Sequence, residues 1–358
     1  MLSSSAAEAA STAAPASIGL IVNPRSGNDV RRVIASAGSS TLDDKISIVR
    51  RIVRGAAARG AHRFITNREP HHIVRRATET MAGVNVDYAV AVIDNNEGDS
   101  VAAAQAMRTL GCAVVVVLGG DGTNRAVCKG WRDVPLIALS TGTNNAFPIW
   151  CEPTVAGLAS ALVACGVAAV DDVSAPAKLV HIDVVLAPHN RANSRWDHRS
   201  GVSDESDIAL IDAAAVADQF VGSLELFDPT TMRVMMLTRA DPSAIGFSAV
   251  GGLLHPVSEA DDHGLCVWLC APEQAALRLM APTAPGHIAT VGIERHRVVR
   301  LGEPVTIEGP MILALDGERK RRLLDGDRAT LTIRRDGPRV IDVGKVMRLA
   351  ARAGSFEH

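Results

Sequence analysis

Aromatic residues are scarce: Phe, Trp and Tyr together supply 3% of the 358 residues. A core built without them has to come from Val, Leu, Ile and Ala, the composition of strands buried on both faces under helices. An excess of one charge is also missing. The formal net charge is -2, which excludes the basic bias of a protein held mainly by nucleic acid. A hydrophobic share of 47% argues equally against a disordered chain. No apolar run approaches membrane-spanning length, and Ala113 to Leu118 has the size of a buried strand. Zinc-type cysteine spacing is absent. The six thiols are scattered, and the one close pair, Cys266 and Cys270, lies in an apolar run where a strand would point both to one face as buried thiols. A reducing cytoplasm is the expected compartment. Residues 1–17 are rich in Ser and Ala, without a basic start or a long apolar stretch, and read as a disordered tail rather than a signal or transit peptide.

The length suits two lobes, each with its own core. Apolar segments at Ile18 to Val22, Ala61 to Thr66, Tyr88 to Ile93, Ala113 to Leu118 and Leu136 to Leu139 alternate with helical stretches. That rhythm predicts a doubly wound α/β lobe around a parallel sheet. Asp44 to Ala58 has helical spacing, with a capping box formed by Thr41 and Asp44, and Arg50, Arg51, Arg54 and Arg59 on its outer, solvated face. After Pro148 the pattern changes. A helix at about Thr154 to Ala164 precedes strand-like segments at Leu179 to Leu186, Leu265 to Leu269, Val298 to Leu301, Met311 to Leu315 and Ala329 to Ile333. Turn residues between them predict an antiparallel, β-rich second lobe. Pro188 to Asp207 reads as a long surface loop. The expected domains are 18–150, 151–340 and a C-terminal segment, 341–358, returning to the first lobe.

The strongest local signal is Val114 to Leu118 running into Gly119-Gly120-Asp121-Gly122-Thr123, with a helix expected from Thr123 to Trp131. Ligands bind at the carboxyl edge of a parallel sheet. Glycines bring bare amides close to an anion there, and a helix N-terminus adds partial positive charge. A bare Asp-Gly is ordinarily only a turn. Two further polar turns follow strands in the same way, Asn23-Pro24-Arg25-Ser26-Gly27 and Thr141-Gly142-Thr143-Asn144-Asn145, so all three meet at one edge and predict a nucleotide cleft. A carboxylate beside phosphates, Asp121, either organises a magnesium ion or takes a proton from an attacking hydroxyl. Both roles belong to phosphoryl transfer.

These elements, in this order, resemble the superfamily of NAD kinases, diacylglycerol kinases and sphingosine kinases. Ala314-Leu315-Asp316-Gly317-Glu318 and Asp325-Gly326-Asp327 are similar to the close of that family's second lobe. Asp44 to Gly55, Gly246 to Val257 and Ala281 to Gly286 resemble the acetoin-catabolism protein X branch. The resemblance implies a two-lobed NAD kinase-like fold, ATP and Mg2+ as cofactors, and catalysis between the lobes. It places Asn23, Ser26, Gly119, Gly120, Gly122, Thr123, Thr141, Gly142, Thr143, Asn144 and Asn145 on the nucleotide. Asp121 and Glu318 become catalytic, and Asp121 and Asp316 metal-organising. Asp316 and Glu318 also suit an ordinary acidic hairpin turn. The acceptor would be NAD or a related hydroxylated metabolite, with a link to acetoin catabolism. Asp183 matches the acid of the family's NAD-holding pair, whereas Ile182 replaces its amide. A nucleotide-sensing regulator and a lipid kinase are the rival readings. The resemblance further implies a homo-oligomer formed through the second lobe, with a small-molecule substrate, no nucleic acid and no stable membrane association. The histidines, His71, His72, His255 and His287 among them, form no metal spacing and carry no assignment.

Overall fold

The computed structural model describes residues 17–26, 41–91, 93–140, 145–194, 206–217 and 231–357. Strands and helices alternate through the first half: β1 (Ser17–Val22), α1 (Leu42–Ala57), β2 (Arg63–Thr66), α2 (Ile73–Thr78), β3 (Asn85–Tyr88), α3 (Glu97–Thr109), β4 (Val114–Gly119), α4 (Asp121–Gly130), β5 (Pro135–Ser140) and α5 (Pro153–Ala164). A single turn, α6 (Val170–Val173), and β6 (Ser174–Pro176) lead into the second lobe. That lobe contains β7 (Leu179–Val185), α7 (Pro188–Ser194), β8 (Ser206–Ala209), β9 (Asp212–Val216), β10 (Met232–Leu237), α8 (Phe247–Leu254), β11 (His263–Cys270), β12 (Leu277–Ala284) and β13 (His287–Arg300). It continues through β14 (Pro304–Glu308), β15 (Met311–Leu315), β16 (Glu318–Leu323) and β17 (Arg328–Arg334), before β18 (Arg339–Ile341) and α9 (Val343–Arg352).

The first sheet has the order β3-β2-β1-β4-β5-β18-β6. Its pairs are parallel except β18 with β6. Alternation along β4 explains why helices cover both faces. Val114, Val116 and Leu118 enter one core with α1, α5 and α9, and Val115 and Val117 enter another with α3 and α4. Thr41 caps α1 as its spacing predicts. Its hydroxyl accepts the Asp44 N–H at 3.1 Å, and the Asp44 carboxylate accepts the Thr41 N–H at 2.9 Å. Thr41→Ala is expected to cost about 1 kcal/mol, read as a lowered urea midpoint with an unchanged slope.

The second lobe stacks a seven-stranded sheet, β12-β13-β11-β10-β9-β15-β16, on a four-stranded one, β14-β17-β7-β8. All of these pairs are antiparallel. Ile182, Ala213, Cys266, Leu313 and Leu331 fill the space between the sheets, and α8 covers the outer face of the larger one over Leu237 and Leu265. The fold is therefore an α/β lobe followed by a β-rich antiparallel lobe. All six cysteines are free.

Three local expectations shift. The strand expected at Tyr88 to Ile93 ends at Tyr88, because it pairs only with β2 and that partner stops at Thr66, opposite Tyr88. The stretch expected as a loop from Pro188 to Asp207 contains α7 and the start of β8; residues 195–205 lie outside the described residues. Val298 to Leu301 overlaps the end of β13, a strand of 14 residues. The exposed Arg295, His296 and Arg297 interrupt its hydrophobic pattern in the sequence.

Candidate active site

β1, β4 and β5 carry the polar turns to one edge of the first sheet, as parallel neighbours must. β4 ends at Gly119, and α4 begins directly at Asp121, two residues earlier than its apolar spacing suggests. The glycines are required by contact. A Cβ on Gly119 would meet the Thr123 side chain at 2.5 Å, and one on Gly120 would meet the Asn145 amide oxygen at 2.8 Å. Asn23 joins two of the turns. Its side-chain amide donates to Thr123 Oγ1 at 2.8 Å, its N–H donates to the Leu118 carbonyl at 3.0 Å, and its carbonyl accepts the Ser26 hydroxyl at 2.8 Å. The buried Lys45 donates to the Pro24 carbonyl from below the same turn. Asn145 donates to Ser140 Oγ at 3.2 Å. Thr141, Gly142, Thr143 and Asn144 lie outside the described residues.

Asp121 is half-buried at the first position of α4. Its two carboxylate oxygens accept the N–H groups of Ala146, at 3.1 Å, and Phe147, at 2.9 Å. Burial and the nearby Asp316 carboxylate raise its pKa to about 6, against the pull of those two amides and of Arg239. Arg239 comes from the second lobe. It donates to the Ala146 carbonyl at 3.3 Å, stacks 5.2 Å from the Phe147 ring centre and pairs with Glu259 at 2.6 Å. The segment after the third turn is thus held by Asp121 on one side and by the second lobe on the other.

Asp316 and Glu318 reach the same place from the β15–β16 hairpin. Asp316 takes a left-handed φ of 50°, and its carboxylate accepts the N–H groups of Leu210, Ile211 and Asp212 at 2.8–3.4 Å. Burial pushes its pKa up, opposed by Arg125 and by those amides. The Glu318 carboxylate lies over Gly122, where a built Cβ would meet Oε1 at 2.9 Å. Asp183 is exposed, on the opposite side of β7 from the buried Ile182. It is Asp207, on the neighbouring β8, that reaches α4, pairing with Lys129 at 3.1 Å.

Arg125 was not singled out by the sequence reading. It is 0% exposed and follows Asp121 by four residues, on the same face of α4. Its Nη2 donates to both Glu97 oxygens at 3.0 and 3.2 Å, and the guanidinium lies 3.7 Å from Asp207, 3.7 Å from Asp316 and 3.8 Å from Glu318. A resident magnesium ion does not fit these acids. The cluster already surrounds a cation, and among the described residues no three His, Cys, Asp or Glu side chains meet at metal-binding geometry.

The arrangement sets a glycine turn and the start of a helix beside a carboxylate of raised pKa, with acids from the second lobe against them. The ATP-NAD kinase N-terminal domain matches residues 18–167, and the acetoin catabolism protein X C-terminal domain matches residues 198–336. The chain is 37% identical over 356 residues to acetoin catabolism protein X of Cupriavidus necator, covering 97% of this chain and 95% of that protein. Yeast NADH kinase complexed with NADH shares the fold at a TM-score of 0.51 and 14% identity, over 95% of this chain and 88% of that one. A diacylglycerol kinase from Bacillus anthracis aligns at a TM-score of 0.41 and 13% identity, over 91% and 96%.

Proposed function

Since the chain belongs to the acetoin catabolism protein X family and carries a kinase-type first domain, we propose that it transfers the γ-phosphoryl group of ATP to a hydroxyl of NAD or a related small metabolite, within acetoin breakdown. The observation that carries this reading is Asp121. It is a carboxylate with a pKa of about 6, at the N-terminus of a helix that follows directly on a Gly-Gly turn. A base with a pKa just below neutrality is ionised at pH 7 and still strong enough to accept a proton.

In the proposed step the acceptor hydroxyl gives its proton to Asp121 as its oxygen bonds to the γ-phosphorus. The bond from that phosphorus to the β,γ-bridging oxygen breaks, and ADP leaves. Each Asp121 oxygen accepts one amide and keeps a second lone pair for the proton. Gly119, Gly120, Gly122, Thr123, Asn23, Ser26 and Asn145 would cradle the phosphates, together with Thr141, Gly142, Thr143 and Asn144. Magnesium would enter with the nucleotide and would supply neutralisation of the phosphate charge. Glu318 would face the transferred group over Gly122, and Asp183 would meet the acceptor from the second lobe. Positioning and fixed charge supply most of the acceleration in such reactions.

Two context features belong to the same reading. No helix among the described residues is long and apolar enough to cross a membrane, and the free thiols suit a reducing cytoplasm. Met280 and Ile288, 74% and 65% exposed on the β12–β13 hairpin, suit a homo-oligomer through the second lobe. Titration calorimetry with ATP tests the cradle. Wild type is expected to bind, and Asn23→Ala, which removes the tie to Thr123, to bind about tenfold more weakly. Absence of ATP binding in the wild type would refute the reading.

A further inference from the structure

Two residues of the second lobe stand behind the segment that Asp121 holds. Arg239 lies two residues beyond the end of β10, and Glu259 lies between α8 and β11. Their stretches are tied together, since Ala240 and Val257 each donate an N–H to the other's carbonyl at 2.9 Å. Two cations fasten the loop that carries Glu259. The buried Lys178 donates its ammonium to the Ser258 and His263 carbonyls, both at 2.8 Å, and Arg335 donates to the carbonyls of Glu259 at 2.8 Å and Asp261 at 2.9 Å. The carboxylate of Glu259 is then engaged at both oxygens: one accepts the Lys178 N–H at 2.9 Å, the other Arg239 Nε at 2.6 Å.

The guanidinium so aimed reaches the peptide group between Ala146 and Phe147. Its Nη1 donates to the Ala146 carbonyl at 3.3 Å, and the N–H on the other side of that same planar group, that of Phe147, donates to Asp121 at 2.9 Å. A cation at the oxygen polarises the peptide and makes its N–H a better donor to the carboxylate. We propose that Arg239, aimed by Glu259, is a positioning residue for Asp121 and acts through this one peptide group, so that the second lobe fastens the carboxylate of the first. Only the role of Asp121 as a base rests on the phosphoryl-transfer reading; the coupling of the three side chains does not.

The charged groups that act on Asp121 from other elements are Asp316, which raises its pKa, and Arg239, which lowers it. Glu318 lies over Gly122, and Arg125 lies beside Asp316. Deleting a carboxylate lowers the pKa of another acid through space, because a repulsion is lost, whereas releasing Arg239 raises that of Asp121, because an attraction is lost. Removal of Glu259 therefore separates the two by sign.

The test follows the Asp121 carboxyl carbon by NMR between pH 5 and 8 in the full chain, labelled with carbon-13 aspartate and free of nucleotide, its signal assigned by its absence from Asp121→Asn. The wild-type midpoint is expected at about 6. Glu259→Ala should raise it by about half a unit or more, and Glu259→Ala with Arg239→Met should raise it no further than Arg239→Met alone. A midpoint unchanged or lowered in folded Glu259→Ala, or a double variant whose shift is the sum of the single ones, would overturn the proposal. Should Glu259→Ala fail to fold, Arg239→Met, which leaves Glu259 bound to the Lys178 N–H, decides. Upfield movement of the Phe147 amide proton at pH 8, larger than that of Ala146, then supports the proposal, and an unmoved Phe147 amide overturns it. A raised midpoint in a protein that transfers no phosphoryl group keeps the coupling and removes only the kinase reading.

Discussion

Asp121→Asn is expected to lower phosphoryl transfer by about a thousandfold or more while ATP still binds. The amide keeps one oxygen to accept Ala146 or Phe147, but it presents N–H donors where the carboxylate accepted the other backbone amide. It also loses the basic oxygen and the attraction to Arg239. The fold should survive, since Asn matches Asp in shape and still accepts one of the two backbone amides. The pH profile gives an independent signature. Burial and Asp316 hold the Asp121 pKa at about 6, and the ionised form is the active one. kcat/KM should therefore be flat above neutrality and fall about tenfold per pH unit below pH 6. Asp121→Asn should abolish that limb. Steady-state rates between pH 5 and 8 check both points.

The largest effect on stability is expected at Gly157→Ala, far from the chemistry. Helices α1 and α5 cross at backbone contact. A Cβ on Gly157 would stand 2.0 Å from the Ile52 carbonyl oxygen, and one on Gly55 would stand 2.2 Å from that of Thr154. Alanine favours a helix over glycine by about 1 kcal/mol, so on propensity alone the change would stabilise. The opposing term is larger. The obstacle is backbone, which cannot rotate away, so the helices must separate and loosen the core formed by Ile52, Val53, Ala156 and Leu162. A net loss of about 2 kcal/mol or more follows. Urea unfolding would show it, and an unchanged midpoint would mean that the helices can part freely.

The sequence exposes what is local. Gly119 to Thr123 and Asn23 to Ser26 are legible because a strand, a glycine turn and a helix start lie within a few residues of one another, and parallel pairing then brings such turns to one edge. Thr41 and Asp44 are legible for the same reason. Arg125 was not legible, because helix position alone does not separate a solvated arginine from one buried among acids. What separates them is the approach of Asp207, Asp316 and Glu318 from segments 82 to 193 residues away, set by the packing of the second lobe. Arg239, 93 residues from Ala146, is hidden for the same reason. Asp316 shows the converse: an acid next to a catalytic-looking neighbour proves to fasten the backbone at Leu210 to Asp212.

Transfer of label from γ-labelled ATP, offered NAD and a pool of soluble hydroxylated metabolites, tests the central claim most directly. Label appearing in NADP or in another phosphorylated metabolite, and lost in Asp121→Asn, is the predicted result. ATP bound by the wild type with no label moved to any acceptor would contradict it and leave a nucleotide-sensing protein in its place.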